Sequence, residues 1–182
     1  ADGEALICMH AGRPEPSETA AAMVAELPKE KVQGSPYLLW AALASPCLSS
    51  FVPVWHDSGQ PEGWEQPRVG VNHGANHEAN QDTWWSMESM QRRIEQDYGR
   101  LAGAPQAIFA SLEAETLAAV RELGPNAGAA ERGALTQSIA RRQEAACRII
   151  DGMTKASVAA VGSPRADDTR GDYLACVEAE RL

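Results

Sequence analysis

Three stretches decide the fold of the first third of this chain: TAAAMVAEL at residues 19–27, YLLWAAL at 37–43 and LSSFVPVW at 48–55. Each is short and mostly apolar, as expected of a strand that buries at least one face. Proline, glycine and serine lie between the stretches, and they are turn-forming residues at hairpin distances. The sequence therefore predicts an antiparallel meander rather than parallel strands joined by crossover helices.

A fourth stretch, LICMH at residues 6–10, is also predicted to be a strand. Pro14 and Pro16 follow it, and proline cannot continue a strand ladder because it lacks a backbone donor. The alanine-rich stretch 19–27 is assigned to the sheet by its place in the series, since alanine itself favours helices. Strands that begin almost at residue 1 lead us to expect that earlier strands of the sheet lie upstream.

The second half of the sequence has helical periodicity, with apolar residues recurring at steps of three and four. Asp82 suits the N-cap of a first helix, and Pro105 and Gly124 mark the start and end of a second. The three predicted apolar stripes are Met87, Met90, Ile94, Tyr98 and Leu101; Ile108, Phe109, Leu112, Thr116, Val120 and Leu123; and Leu135, Ile139, Ala146, Ile149 or Ile150, and Met153.

Together these elements predict an α+β fold, in which an antiparallel meander is covered on one face by long helices. We divide the chain, as parts of one domain, into strands at 1–56, a surface loop at 57–81, a helical layer at 82–161 and an irregular tail at 162–182. The predicted loop is rich in glycine, asparagine and histidine, and its length suits a lid or a partner contact.

Composition narrows the class of protein. The chain has 182 residues, of which 44% are hydrophobic and 23% charged, which is typical of a globular domain. Its net charge of -9 opposes binding to nucleic acids and to anionic membrane surfaces. No apolar run approaches the ~20 residues of a membrane span. Four scattered cysteines without a C-x-x-C pair favour a reducing, cytoplasmic setting and no metal ribbon, and we expect no cofactor.

Cys8 and His10 are the first candidates for catalysis, because side chains two residues apart on a strand share one face. They could be a nucleophile and its base. However, such side chains start about 6 to 7 Å apart, whereas a working pair needs heavy atoms ~2.6 to 3.2 Å apart. We therefore favour a buried thiol beside a hydrogen-bonded imidazole.

His73 and His77 are the candidates for a metal site, since histidines four residues apart can face the same way on a helix. In the usual zinc hydrolase motif a glutamate stands between the histidines, whereas here Glu78 follows them. The surrounding residues also have poor helix propensity. A solvated loop is the preferred interpretation, and a metal would need a further ligand such as His56 or Asp57.

Two other features have structural interpretations. Cys47 follows a proline and has no charged neighbour in sequence to lower its pKa, so a small buried residue is favoured over a reactive thiol. Trp84 and Trp85 could anchor a partner, but at least one ring is expected to pack on the sheet.

The first two thirds of the chain resemble a known family. ICMHAG at 7–12, TAAAMV at 19–24, SPC at 45–47 and FVPV at 51–54 occur in the same order as in the C-terminal half of secernins and related dipeptidase-type cysteine hydrolases. The similarity spans residues 5–123. It implies an αββα sandwich of the N-terminal-nucleophile hydrolases, amide hydrolysis through a thioester, and small peptides or amides as substrates.

The sequence departs from this family at the nucleophile. The family uses a cysteine at residue 1 with its own α-amine as the base, whereas residue 1 here is alanine and Cys8 is internal. The catalytic residues are therefore unknown, and we expect them upstream, with the chain inactive alone. Residues after Arg132 match no motif of the family.

Three hypotheses follow from the sequence. The first is the C-terminal portion of a secernin-like amide hydrolase. The second is a non-catalytic protein-interaction module that uses the helices and the loop, with Trp64, Trp84 and Trp85 as anchors. The third is a metal-dependent hydrolase that uses His73 and His77. The sequence leaves open whether the chain forms a homo-oligomer.

Overall fold

The computed structural model describes residues 19–26, 36–64 and 83–161. In the first part of the chain it has an antiparallel sheet of three strands in the order β1-β2-β3. The strands are β1 (Ala21–Glu26), β2 (Leu38–Leu43) and β3 (Val52–Trp55). The predicted meander is thus confirmed for the three stretches, including the alanine-rich one. The predicted strand at 6–10 lies outside the described residues.

The third strand is shorter than predicted. Pro46–Leu48 forms a single 3-10 turn, and the ladder to β2 begins at Val52. The reason is that two buried glutamines of the helical layer, Gln91 and Gln143, form hydrogen bonds with this part of the backbone. Gln143 donates to the Ser50 carbonyl at 2.5 Å. Gln91 accepts a hydrogen bond from the Ser45 N–H at 2.9 Å and donates to the Ser45 and Leu48 carbonyls at 3.2 and 3.0 Å. These bonds take the place of a strand ladder.

The helical second half is confirmed. It consists of α1 (Thr83–Glu95), α2 (Tyr98–Leu101), α3 (Gly103–Leu123) and α4 (Ala129–Val161). Gly124 ends α3 with φ at 71°, a conformation that glycine adopts without strain.

The first predicted helical stripe, which runs to Leu101, extends beyond the end of α1. The structure ends α1 at Glu95, because Asp97 has φ -149° and ψ 65°, outside the helical region. Tyr98, which the stripe placed in the core, is 40% exposed, while Leu101 is buried after the chain has turned into α2. The break moves the register of the stripe by part of a turn.

The main core lies among the helices. Met87, Met90 and Ile94 of α1 are fully buried, as predicted for the first stripe. They pack with residues from α2, α3 and α4 and from the β2–β3 connection, namely Ala44, Leu48, Leu101, Phe109, Leu112, Ala146, Cys147 and Ile150. Of the two alternatives in the third stripe, Ile150 is buried and Ile149 is 59% exposed.

The sheet packs against α3 and α4 through smaller apolar clusters. Trp40 and Trp55 contact side chains near the end of α3 and the start of α4, and Val52 packs with Ile139 and Ala140 of α4. Within the described part of the sheet β1 is an outer strand, and its Met23 is 66% and Val24 54% exposed. Among the described residues, β2 is the only strand that pairs with β1.

The first residues after β3 are fixed to α4. Gln137 accepts from the Glu62 N–H at 2.9 Å and donates to the Gln60 carbonyl at 3.0 Å. Thr136 donates to the Pro53 carbonyl at 2.8 Å. The predicted surface loop therefore starts from a well-anchored segment, at least as far as Trp64.

None of the helices in the described part of the chain has both the length and the apolar composition needed to cross a bilayer.

Candidate functional site

A concave groove lies between the sheet and α3 among the described residues. Its volume is about 180 Å³. Its walls are formed by β1, β2 and α3 and by Phe51, and they are apolar apart from one carboxyl and one hydroxyl group. The lining residues are Val24, Trp40, Phe51, Glu113, Thr116 and Leu117. We call this the Trp40 groove.

The strand register builds one wall of the Trp40 groove. Val24 of β1 lies directly opposite Trp40 of β2, so their side chains are neighbours on one face of the sheet. The Trp40 Nε1–H donates to Glu26 Oε1 at 2.6 Å. This bond satisfies the only polar atom of the indole, so the ring presents a purely apolar surface to the groove.

The helix register builds the opposite wall. Glu113 and Leu117 are four residues apart on α3 and therefore lie on one face, with Thr116 beside them. The Thr116 hydroxyl donates to the Leu112 carbonyl at 2.7 Å and is thereby satisfied within the helix. Leu117 is 43% exposed and forms part of the rim.

Phe51 is held at the end of the groove by bonds to its own backbone and to that of its neighbour. Its N–H donates to Glu113 Oε1 at 3.1 Å, and Gln143 Nε2 donates to the preceding Ser50 carbonyl at 2.5 Å. Ser50 and Gln143 are fully buried. These two bonds fix the irregular backbone that carries Phe51.

The volume of the groove limits what it can hold. Pockets for whole small molecules usually measure about 300 to 1,000 Å³, whereas a cavity of about 150 Å³ takes one benzene. The Trp40 groove is therefore suited to one aliphatic or aromatic side chain. Exposed Val24 and Leu117 beside it give a larger ligand further apolar surface to contact.

The structure does not describe either of the two pairs of candidate site residues that the sequence suggested. Cys8 and His10 lie outside the described residues, and so do His73 and His77. Their proposed catalytic and metal-binding roles remain predictions.

The two further metal ligands considered from the sequence are already engaged. His56 Nδ1 accepts from the Tyr37 N–H at 3.2 Å, and the two rings stack with centroids 4.3 Å apart. Arg132 binds both carboxylate oxygens of Asp57, and this hydrogen bonding lowers the pKa of Asp57. Within the described ranges, no group of three or more His, Cys, Asp or Glu side chains could hold a metal ion.

The Cys147 thiol is not suited to nucleophilic catalysis. Burial raises the pKa of the Cys147 thiol to about 12, and the charge of Glu144 adds to the effect. The thiol therefore stays protonated at neutral pH and is a poor nucleophile. Cys47 is half-buried and packs against the main core.

The sequence did not identify the Trp40 groove. Trp40 and Thr116 were assigned to a strand and to a helical stripe, and Glu113 and Leu117 were not singled out. The one local signal for the groove is the spacing of Glu113 and Leu117, four residues apart at the edge of an apolar stripe. This spacing is common on amphipathic helices and does not by itself indicate a groove. The groove depends on how α3 crosses the sheet, which no local pattern specifies.

Comparison with known proteins gave no match for this chain among family models, curated proteins or solved structures.

Proposed function

We propose that this chain binds peptides or small amides by receiving one apolar side chain in the Trp40 groove. The observation that carries the proposal is the size and lining of the groove, which fits a single leucine-like or phenylalanine-like side chain. Burying such a group contributes about 1.5 to 3 kcal/mol, which suits an anchor within a longer contact.

We further propose that the bound peptide or amide is a substrate, and that the chain contributes sheet, helices and a specificity pocket to a secernin-like amide hydrolase. The ordered N-terminal motifs support this, because they resemble proteins with an αββα sandwich and with such substrates. The antiparallel sheet packed on helices is compatible with one half of that sandwich. A cytoplasmic location is part of the same proposal and is supported by the buried Cys147 thiol.

A second candidate function is non-catalytic recognition of a protein partner. The specific observation in its favour is the exposure of Val24, which lines the groove and belongs to β1, the outer strand of the described part of the sheet. An extended segment of a partner can add to an edge strand through backbone hydrogen bonds while one of its side chains enters a pocket. Protein recognition would then use the same Trp40 groove without cleaving the bound segment.

Peptide titration monitored by NMR tests binding. The indole N–H resonance of Trp40 is assigned with a Trp40→Phe variant, and the chain is titrated with Leu-Ala, Phe-Ala, Ala-Ala and Lys-Ala dipeptides. We expect the leucine and phenylalanine peptides to shift this resonance and the other two to leave it unchanged. If none of the four peptides moves the Trp40 resonance, the groove is not a binding site for peptide side chains.

A groove variant is expected to lose affinity for these peptides. Leu117→Asp places a charge at the apolar rim, and losing about 1.4 kcal/mol of side-chain burial weakens binding about tenfold. Ile149→Asp makes the same kind of change at an exposed site on α4 and should bind like the wild type. Equal weakening in both variants would contradict a role for the groove.

Amine release tests whether the chain has catalytic residues of its own. The dipeptides that bind are incubated with the chain, and free amine is measured over time. We expect no release under either candidate function, because no catalytic residue of the resembled family is identified in this sequence. Release that Leu117→Asp slows would show that the chain itself cleaves the bound peptide.

A further inference from the structure

Glu113 is the one charged residue in the described lining of the Trp40 groove. Its Oε1 accepts the Phe51 N–H at 3.1 Å, and this bond ties the carboxyl group to the Phe51 end of the groove. Its Oε2 has no hydrogen bond or ion pair within the described part of the chain. The groove therefore has a fixed carboxylate with one oxygen available to a ligand.

The charge beside the groove is acidic on both walls. On the sheet side, the exposed Glu26 accepts a hydrogen bond from the Trp40 indole, and on the helix side Glu113 is half-buried. Among the described residues that line the groove there is no lysine or arginine. A carboxylate that has lost part of its hydration is costly without a cation beside it. The lining thus complements a ligand that combines an apolar group with a positive charge.

An organic ammonium group suits this position better than a metal ion does. One carboxylate is too few ligands for a metal, and the described residues hold no cluster of three or more metal-binding side chains. An ammonium group instead brings three hydrogen-bond donors and is compatible with the nearby Trp40 and Phe51 rings. In a peptide, the α-ammonium and the side chain of the first residue are bonded to the same α-carbon. A side chain inside the groove therefore brings its own ammonium to the wall that carries Glu113.

We propose that Glu113 binds the α-ammonium of the residue whose side chain enters the Trp40 groove, so that the groove recognises a free peptide N-terminus with an apolar first residue. This inference rests on the proposed function, and it narrows the ligand from any peptide or small amide to those with a free α-amine. A blocked or internal residue offers Glu113 a single uncharged N–H, which makes a weaker hydrogen bond than a charged donor does.

Blocked and reversed peptides test the proposal on the wild-type chain. Leu-Ala, N-acetyl-Leu-Ala and Ala-Leu are titrated while the Trp40 indole N–H resonance is followed by NMR. We expect acetylation to weaken binding about tenfold, which corresponds to about 1.4 kcal/mol. Ala-Leu should bind no more tightly than the acetylated peptide, because its leucine carries no ammonium.

Glu113→Gln separates the charge of the ligand from its shape. Glutamine keeps the volume of the side chain and an oxygen for the Phe51 N–H, so the groove should keep its form. We expect the variant to bind Leu-Ala about tenfold more weakly than the wild type and to bind N-acetyl-Leu-Ala equally well. Glu115→Gln is the matched control, since Glu115 is exposed on the same helix and paired with Arg142 outside the groove. It should bind both peptides like the wild type.

The outcomes distinguish this inference from the function on which it rests. If N-acetyl-Leu-Ala binds the wild type as tightly as Leu-Ala does, or if Glu113→Gln binds Leu-Ala like the wild type, the ammonium contact is overturned while the groove still receives a side chain. Equal weakening of both peptides by Glu113→Gln also overturns it, because the effect would then not depend on the α-amine. If neither peptide moves the Trp40 resonance, the proposed function fails and this inference fails with it.

Discussion

Replacing Gln91 by methionine is expected to lower the free energy of unfolding by about 2 to 6 kcal/mol, because the Ser45 N–H and the Leu48 carbonyl lose their partner while the Ser45 carbonyl keeps its bond from the Leu48 N–H. Methionine nearly preserves the volume of the side chain but removes its hydrogen bonds to one N–H and two carbonyls of residues 45 and 48. Each buried polar group left without a partner costs about 1 to 3 kcal/mol. Chemical denaturation followed by far-UV circular dichroism measures the change as a lower midpoint with a similar slope.

Gln137→Met is the matched control. Gln137 also makes two hydrogen bonds to backbone, but to the exposed residues Gln60 and Glu62. Water can replace these bonds, so we expect a loss below about 1 kcal/mol. Equal effects for the two variants would show that the bonds of Gln91 do not stabilise the irregular connection.

The strands were predictable because their signals are local. Apolar stretches between turn residues identified β1, β2 and part of β3, and the order of these stretches outweighed the helix propensity of alanine in β1. The start of β3 was not predictable in the same way. Residues 48–50 have strand-like composition, but Gln91 and Gln143, 43 and 93 residues away in sequence, take over their carbonyls. No periodicity reports such a distant partner.

The candidate site was less accessible to sequence reasoning than the fold. Cysteine and histidine attract attention because of their chemistry, whereas the Trp40 groove is made of residue types that usually form cores. Val24 and Leu117 matter because they are not fully buried, and exposure depends on the packing of α3 over the sheet. The third predicted stripe left Ile149 and Ile150 as alternatives and also included Met153; Ile150 is buried as one alternative predicted, whereas Met153 is 43% exposed.

A buried charged cluster on α1 leads to the second prediction. Arg92 binds Glu88 at 2.8 Å and Glu95 at 3.3 Å, and all three side chains are about nine-tenths buried. One guanidinium thus lies between two carboxylates. Burial, and secondly the charge of Glu95, raise the pKa of Glu88 from 4.5 to about 7.

The raised pKa of Glu88 makes stability fall as pH rises. Between about pH 4.5 and 7 the folded chain holds the Glu88 proton, whereas the unfolded chain has released it. Folding therefore binds a proton in this window, and the stabilisation is complete below pH 4.5 and lost above 7. A shift of this size corresponds to about 3 kcal/mol. The lowered pKa of Asp57 acts in the opposite sense, but below pH 3.8 and thus outside this window.

Glu88→Gln should flatten this part of the stability profile, because glutamine carries no titrating proton and no charge. We expect the variant to match the wild type near pH 5 and to exceed it by about 3 kcal/mol at pH 8, as measured by urea denaturation at each pH. Glu122→Gln removes a charge from an exposed position on α3 and should leave the profile unchanged. Since other groups titrate in both proteins, the difference between wild type and Glu88→Gln isolates the contribution of Glu88. A constant difference from pH 5 to 8 would mean that Glu88 stays ionised throughout, and that Arg92 compensates both carboxylates in the folded chain.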